Sequence, residues 1–172
     1  MTDFRDSYPS VYTPENLWRV INTPLLDPDI ASLIHEDMEV SYAVLGHDGQ
    51  IESGTTITYV ATDEAIQKVP PVYRRFIPKD VEFFVTQMSP RYEVGQEILR
   101  HDVLLSDKAD GSITRTVKPE EEGSRLVVEA TLTLNGLEGI FDNQIKRALK
   151  HIVGDPSERT VVLAQDILDM HQ

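Results

Sequence analysis

Apolar and polar residues alternate through most of the chain between Met38 and Leu134, and beyond Leu134 the period changes. Alternation at period two marks strands with one buried face. It predicts strands over Met38–His47, Gln50–Ala61, Val81–Met88, Ile98–Ser106, Ile113–Lys118 and Arg125–Leu134. Asp48-Gly49 is a two-residue hairpin signal, and Asp110-Gly111 and Glu120–Gly123 read as further turns. Phe4–Thr13 predicts a first strand that Pro9 restricts to a sheet edge. Pro70-Pro71 and Pro78 bracket Val72–Ile77, which reads as a single helical turn.

After Asn135-Gly136 the apolar residues Leu137, Ile140, Phe141, Ile145, Ala148, Leu149 and Ile152 stand three and four apart. That spacing puts them on one face of a helix over Leu137–Val153. Gly154-Asp155-Pro156 predicts a break or sharp kink. Asp155 and Glu158 have capping-box spacing, with Pro156 at the first helical position. Val162, Leu163, Ile167 and Leu168 continue an apolar face beyond it. Near the other end, Thr13 and Pro14 start a helix through Leu17 and Trp18. Asp27-Pro28 opens a second short helix ending near Asp37. The expected class is α+β: a curved antiparallel sheet of six to seven strands around one long C-terminal helix, with two short helices after the first strand.

The chain has 172 residues, the size of one domain spanning 1–172, and 40% are hydrophobic, enough for a core. The 29 acidic against 16 basic residues give a formal charge of −13. Such a surface repels phosphate backbones and anionic headgroups, which argues against nucleic-acid and membrane partners. Cysteine is absent, which removes disulfides, thiolate nucleophiles and Cys-based metal sites. No secretory leader or membrane-length apolar run is visible, and the expected compartment is the cytoplasm. The five histidines have no metal-ligand spacing: His35-Glu36 lacks the second histidine of a zincin helix, and Asp107–Gly111 lacks a calcium loop's ligand at Ala109. Neither a metal nor a cofactor is implied.

Three segments carry a family resemblance. Thr13-Pro14-Glu15-Asn16-Leu17-Trp18 resembles the start of the first helix in the START-like helix-grip (SRPBCC) superfamily, the group of polyketide cyclases and birch-pollen-allergen relatives. Leu132–Glu138 resembles that superfamily's last strand running through a glycine, and Gln144–Leu149 resembles the helix that follows. Pro71–Phe76 resembles a segment of an uncharacterised actinobacterial family within it. The resemblance implies a cup between sheet and helix that holds a small hydrophobic or amphipathic molecule, lipid-like or polyketide-like. In this chain the final helix departs from the superfamily's usual continuous one at Gly154–Pro156, and Asn135 stands where relatives carry Pro or an apolar residue.

Alternation nominates the residues facing the cup: Tyr42, Ile57, Tyr59, Phe83, Val85, Leu99, His101, Val103, Arg115 and Leu132, with Phe141 from the helix. A buried polar group costs free energy unless hydrogen-bonded, so His101 and Arg115 stand out in this set. His101 is a candidate acid, base or ligand donor, against the alternative that a one-residue slip turns it outward. Arg115 is a candidate for holding a ligand carboxylate, against the leading alternative of a salt bridge to an acidic neighbour. Tyr42, Tyr59 and Tyr73 could offer hydroxyls, although tyrosines on such faces usually pack as core. Three functions stay open: ligand binding, a cyclase- or hydratase-type reaction moving protons through His101 or a tyrosine, and an interaction module whose cup is packed shut.

Overall fold

The computed structural model describes residues 2–22, 38–43, 56–68, 70–74, 80–88, 98–137 and 139–170. In chain order these are β1 (Thr2–Ser10), α1 (Pro14–Asn22), β2 (Met38–Ala43), β3 (Thr56–Ala61), α2 (Asp63–Gln67) and α3 (Pro71–Arg74). Then come β4 (Asp80–Met88), β5 (Ile98–Leu105), β6 (Ala109–Glu120), β7 (Gly123–Leu134), α4 (Asp142–Leu149), a π-helical turn (Lys150–Gly154) and α5 (Asp155–Asp169). The expected second short helix and the Asp48-Gly49 hairpin lie outside the described residues.

The described strands form one antiparallel sheet in the order β1-β7-β6-β5-β4-β3-β2. β1 is an edge strand, which accommodates Pro9 and its missing N–H. Asp110-Gly111 is not a turn: both residues lie within β6, opposite Thr133 and Leu132. The chain reverses earlier, over Ser106–Lys108, where the Ser106 hydroxyl accepts from the Lys108 amide at 3.1 Å. Gly111 serves the strand by its size, since a Cβ there would meet the Thr131 carbonyl at 2.8 Å and Leu132 at 3.2 Å.

The core lies between the β1-β7-β6 part of the sheet and the helices. Phe4, Ile113, Val117, Leu126, Val128 and Ala130 supply the sheet side, and Leu17 and Trp18 come from α1. Ile145, Leu149, Val153, Val161 and Ala164 supply the C-terminal side. That stripe differs from the expected one. Gly139 and Ile140 lie in a turn, the helix starts only at Asp142, and Ile140 is 62% exposed. Ala148 and Ile152 face outward, and Val153 takes the buried position.

No break occurs at Gly154-Pro156. The α4 helix widens into the π turn, in which the Asp155 amide bonds the Lys150 carbonyl, and runs on into α5. Proline has no amide hydrogen, and its ring collides with the carbonyl four residues back, so opening the ladder one turn before Pro156 relieves both problems. Asp155 makes no capping bond and instead lies 3.6 Å from His151. The buried hydroxyls of Ser157 and Thr160 donate back to the carbonyls of Val153 and Pro156 at 2.6 and 2.8 Å. Gly154 sits where the helix meets β1: an added Cβ would fall 2.6 Å from Phe4 Cζ.

Candidate functional site

Register decides which side chains face the helix. Ile113, Arg115 and Val117 of β6 pair with Ala130, Val128 and Leu126 of β7, whose side chains belong to the core. On the other side, Ile113 and Arg115 pair with Asp102 and Arg100 of β5. Paired residues share a face, so the concave face of β5 carries Arg100 and Asp102. Leu99, His101 and Val103 lie on the opposite face, contrary to expectation. There His101 Nδ1 lies 2.8 Å from the Thr114 hydroxyl. The slip is one residue, enough to invert a whole strand.

On β4 and β3 the expected faces match the pairing. Val85 lies opposite Asp102, Phe83 opposite Ile57, and Val81 opposite Tyr59. Beyond Val85 the register shifts by one residue, so Gln87 lies opposite His101 and Met88 opposite Arg100. Ile57, Tyr59 and Val85 are buried, and the Tyr59 and Phe83 rings meet edge to face at 5.9 Å. Tyr42 pairs with Ile57 in the ladder. Leu132 and Phe141 pack, partly buried, against the core. In the insert, Arg74 donates to the Gln67 carbonyl at 2.8 Å, and Tyr73 lies within α3.

At the centre of the concave face two arginines converge on one aspartate. Arg100 grips Asp102 with both arms, Nε to Oδ1 at 2.9 Å and Nη2 to Oδ2 at 2.6 Å. Arg115 Nη1 reaches the same Oδ2 at 3.0 Å. The side chains of Asp102, Arg100 and Arg115 are 1%, 4% and 13% exposed. The Tyr59 hydroxyl, carried by β3, feels the charges of Arg115 and Arg100 from across the sheet.

The electrostatics follow from the packing. Burial pushes the Asp102 carboxyl upward, but the charges and hydrogen bonds of Arg100 and Arg115 outweigh it and hold it below its ordinary value. Burial raises the Tyr59 hydroxyl, with Arg115 and Arg100 opposing. Tyr59 therefore stays protonated near neutrality and can donate or accept, but it is a poor base. The salt-bridge reading of Arg115 is the observed one. Arg100 and Asp102 were missed because three apolar residues, Leu99, Val103 and Leu105, sit on the other face of β5. The available signal was the opposite-charge pair at positions two apart, flanked on its own face by Ile98 and Leu104.

Among the described residues, no group of three or more His, Asp or Glu could hold a metal ion, and no helix is long and apolar enough to cross a membrane.

Solved structures share this architecture over nearly the whole chain. A point mutant of norcoclaurine synthase from Thalictrum flavum, in complex with a transition-state analogue, superposes with a TM-score of 0.64 at 12% identity, covering 99% of this chain and 96% of that one. Ara h 8.0201 gives a TM-score of 0.58 at 12% identity, over 93% and 97% of the two chains. A conserved protein from Geobacillus kaustophilus gives 0.58 at 15% identity, over 95% of each. No protein family and no curated protein matches the sequence itself. The architecture is the helix-grip fold, and at these identities the likeness carries the fold alone.

Proposed function

We propose that this chain binds a small hydrophobic or amphipathic molecule between the concave sheet face and the C-terminal helix, as a single domain of the cytoplasm. The observation that carries this reading is the polar cluster Arg100–Asp102–Arg115, with Tyr59, set among the apolar residues Ile57, Val85, Ile113 and Val128 on the concave face. A mostly apolar surface with a few convergent polar groups is the usual make-up of a ligand pocket. The solved norcoclaurine synthase complex, with the same fold, holds a small molecule. Ile57, Tyr59, Phe83, Val85, Arg115, Leu132 and Phe141 remain candidate contacts, together with Tyr42.

Binding is favoured over a proton-transfer reaction for two reasons. His101 lies on the opposite face, and Tyr59 is held protonated by burial. Native mass spectrometry of freshly purified protein tests the reading. A population carrying a bound small molecule, released on mild activation, is the expected result. A single bare species that also fails to take up an added apolar fluorophore would favour a cup packed shut and a role in protein interaction.

A further inference from the structure

Asn135 ties the end of β7 to the turn between β5 and β6. Its backbone amide donates to the Lys108 carbonyl at 2.9 Å, and its side-chain Nδ2 donates to the Asp107 carbonyl at 3.1 Å. These bonds carry the β6–β7 ladder one step beyond its last pair, Ala109 and Leu134. There the chain leaves the sheet. The Leu137 amide bonds the Leu134 carbonyl at 3.1 Å, so Asn135 and Gly136 are the two central residues of a turn. Gly136 has a φ of +81°, which glycine adopts without strain. Both residues are exposed, and nothing lies within 4 Å of the point where a Gly136 Cβ would stand. Of the four asparagines, Asn16, Asn22, Asn135 and Asn143, Asn135 alone is followed by glycine.

We infer that Asn135 is a site of spontaneous deamidation, and that its conversion permanently releases this tie between the sheet and the C-terminal segment. The Gly136 backbone nitrogen gives its proton to solvent base and attacks Asn135 Cγ. The new N–Cγ bond closes a five-membered succinimide, and the Cγ–Nδ2 bond breaks as ammonia leaves. Water then adds at either ring carbonyl and reopens the ring to aspartate or isoaspartate. A side chain at position 136 would crowd the forming ring, and glycine leaves the approach open. The bond from Nδ2 to Asp107 holds the reactant back, so the reaction starts from local openings, which cost least where backbone hydrogen bonds are exposed. Each conversion makes such an opening irreversible. A carboxylate has no N–H to offer, so an acceptor then faces the Asp107 carbonyl. Isoaspartate also routes the main chain through its own Cβ and Cγ, which displaces the Leu134–Leu137 turn.

The test ages folded wild-type protein in mildly alkaline and in mildly acidic buffer, followed by peptide mass spectrometry with fragmentation that separates isoaspartate from aspartate. In alkaline buffer Asn135 should gain the mass of an NH2 replaced by OH, with isoaspartate among the products, while Asn16, Asn22 and Asn143 stay amides. Conversion should be slower in acid, because the attacking nitrogen must lose its proton. Asn135→Gln, which would have to close a six-membered ring, should remain unconverted. The converted protein carries one more negative charge, so anion exchange separates it from the fresh form. It should melt at a lower temperature, and its amides at positions 135 and 137 should exchange faster with deuterium. Asn135→Asp should show the same two changes without ageing. If Asn135 converts no faster than the other three asparagines, the site is overturned. If it converts but the separated form and Asn135→Asp melt and exchange like fresh protein, release of the tie is overturned.

Discussion

Asp102 holds its surroundings together at a cost that depends on which partner is removed. Asp102→Asn removes the buried carboxylate that both guanidiniums bond and should destabilise the fold by about 3–5 kcal/mol. Arg115→Met leaves the two-armed Arg100–Asp102 pair intact and should change stability by about 1 kcal/mol or less. Urea denaturation of the two variants checks the contrast, and equal losses would mean that Arg115 is as structural as Asp102. The pH dependence has a definite sign. The folded-state value of Asp102 lies below its ordinary 3.8, so the aspartate stabilises the fold fully above about pH 4. That contribution is lost as pH falls through the folded value. Asp102→Asn should therefore unfold with a weaker pH dependence below pH 4 than wild type does, as followed by circular dichroism. This part of the site was only half legible in the sequence. Arg115 stood on an inward face by plain alternation. On β5, however, apolar count favours the wrong face, because Arg100 and Asp102 neutralise each other and can be buried where hydrophobicity alone would put Leu99 and Val103.

The C-terminal helix shows what capping and breaker signals leave undetermined. Gly-Asp-Pro is a helix-start pattern, yet here the preceding helix absorbs the proline through a π turn, and the side chains of Ser157 and Thr160 bond carbonyls one turn back. Asp155→Ala should then change stability by about 0.5 kcal/mol or less, the range of surface substitutions. A loss near 1 kcal/mol in thermal denaturation would restore the capping role. Gly154→Ala should destabilise by about 1–2 kcal/mol, because overpacking against Phe4 outweighs the gain of about 1 kcal/mol in helix propensity. Combining it with Phe4→Leu should recover part of that loss. The strands were legible from period two, and the long β6 was not. Asp110-Gly111 carries a hairpin signature, but Gly111 is needed for its missing side chain beside Leu132, and the turn falls to Ser106–Lys108. The buried stripe runs through Val153, four residues beyond Leu149, rather than through Ile152, three beyond it, a choice that helical spacing leaves open.

For the whole molecule, the sheet has two halves with different work. The β1-β7-β6 half packs on α1 and the C-terminal helix and supplies the core cluster. The buried residues Ile57, Tyr59 and Val85 belong to β3 and β4, on the far side of the arginine–aspartate triad. The overall plan was legible because a period-two region followed by a period-3.6 segment leaves few other ways to bury both apolar faces. The position of the polar centre was not, since it depends on the register of one strand. That register also gives the most direct test of the cup. Val85 lies opposite Asp102 on the concave face, and Val103 lies on the other side of the sheet. Nile red should be titrated into wild-type protein, Val85→Trp and Val103→Trp, each shown to unfold cooperatively. The account predicts saturable binding to wild type and to Val103→Trp, and loss of binding in Val85→Trp. Blockage by Val103→Trp with Val85→Trp unaffected, or no binding to wild type, would contradict it.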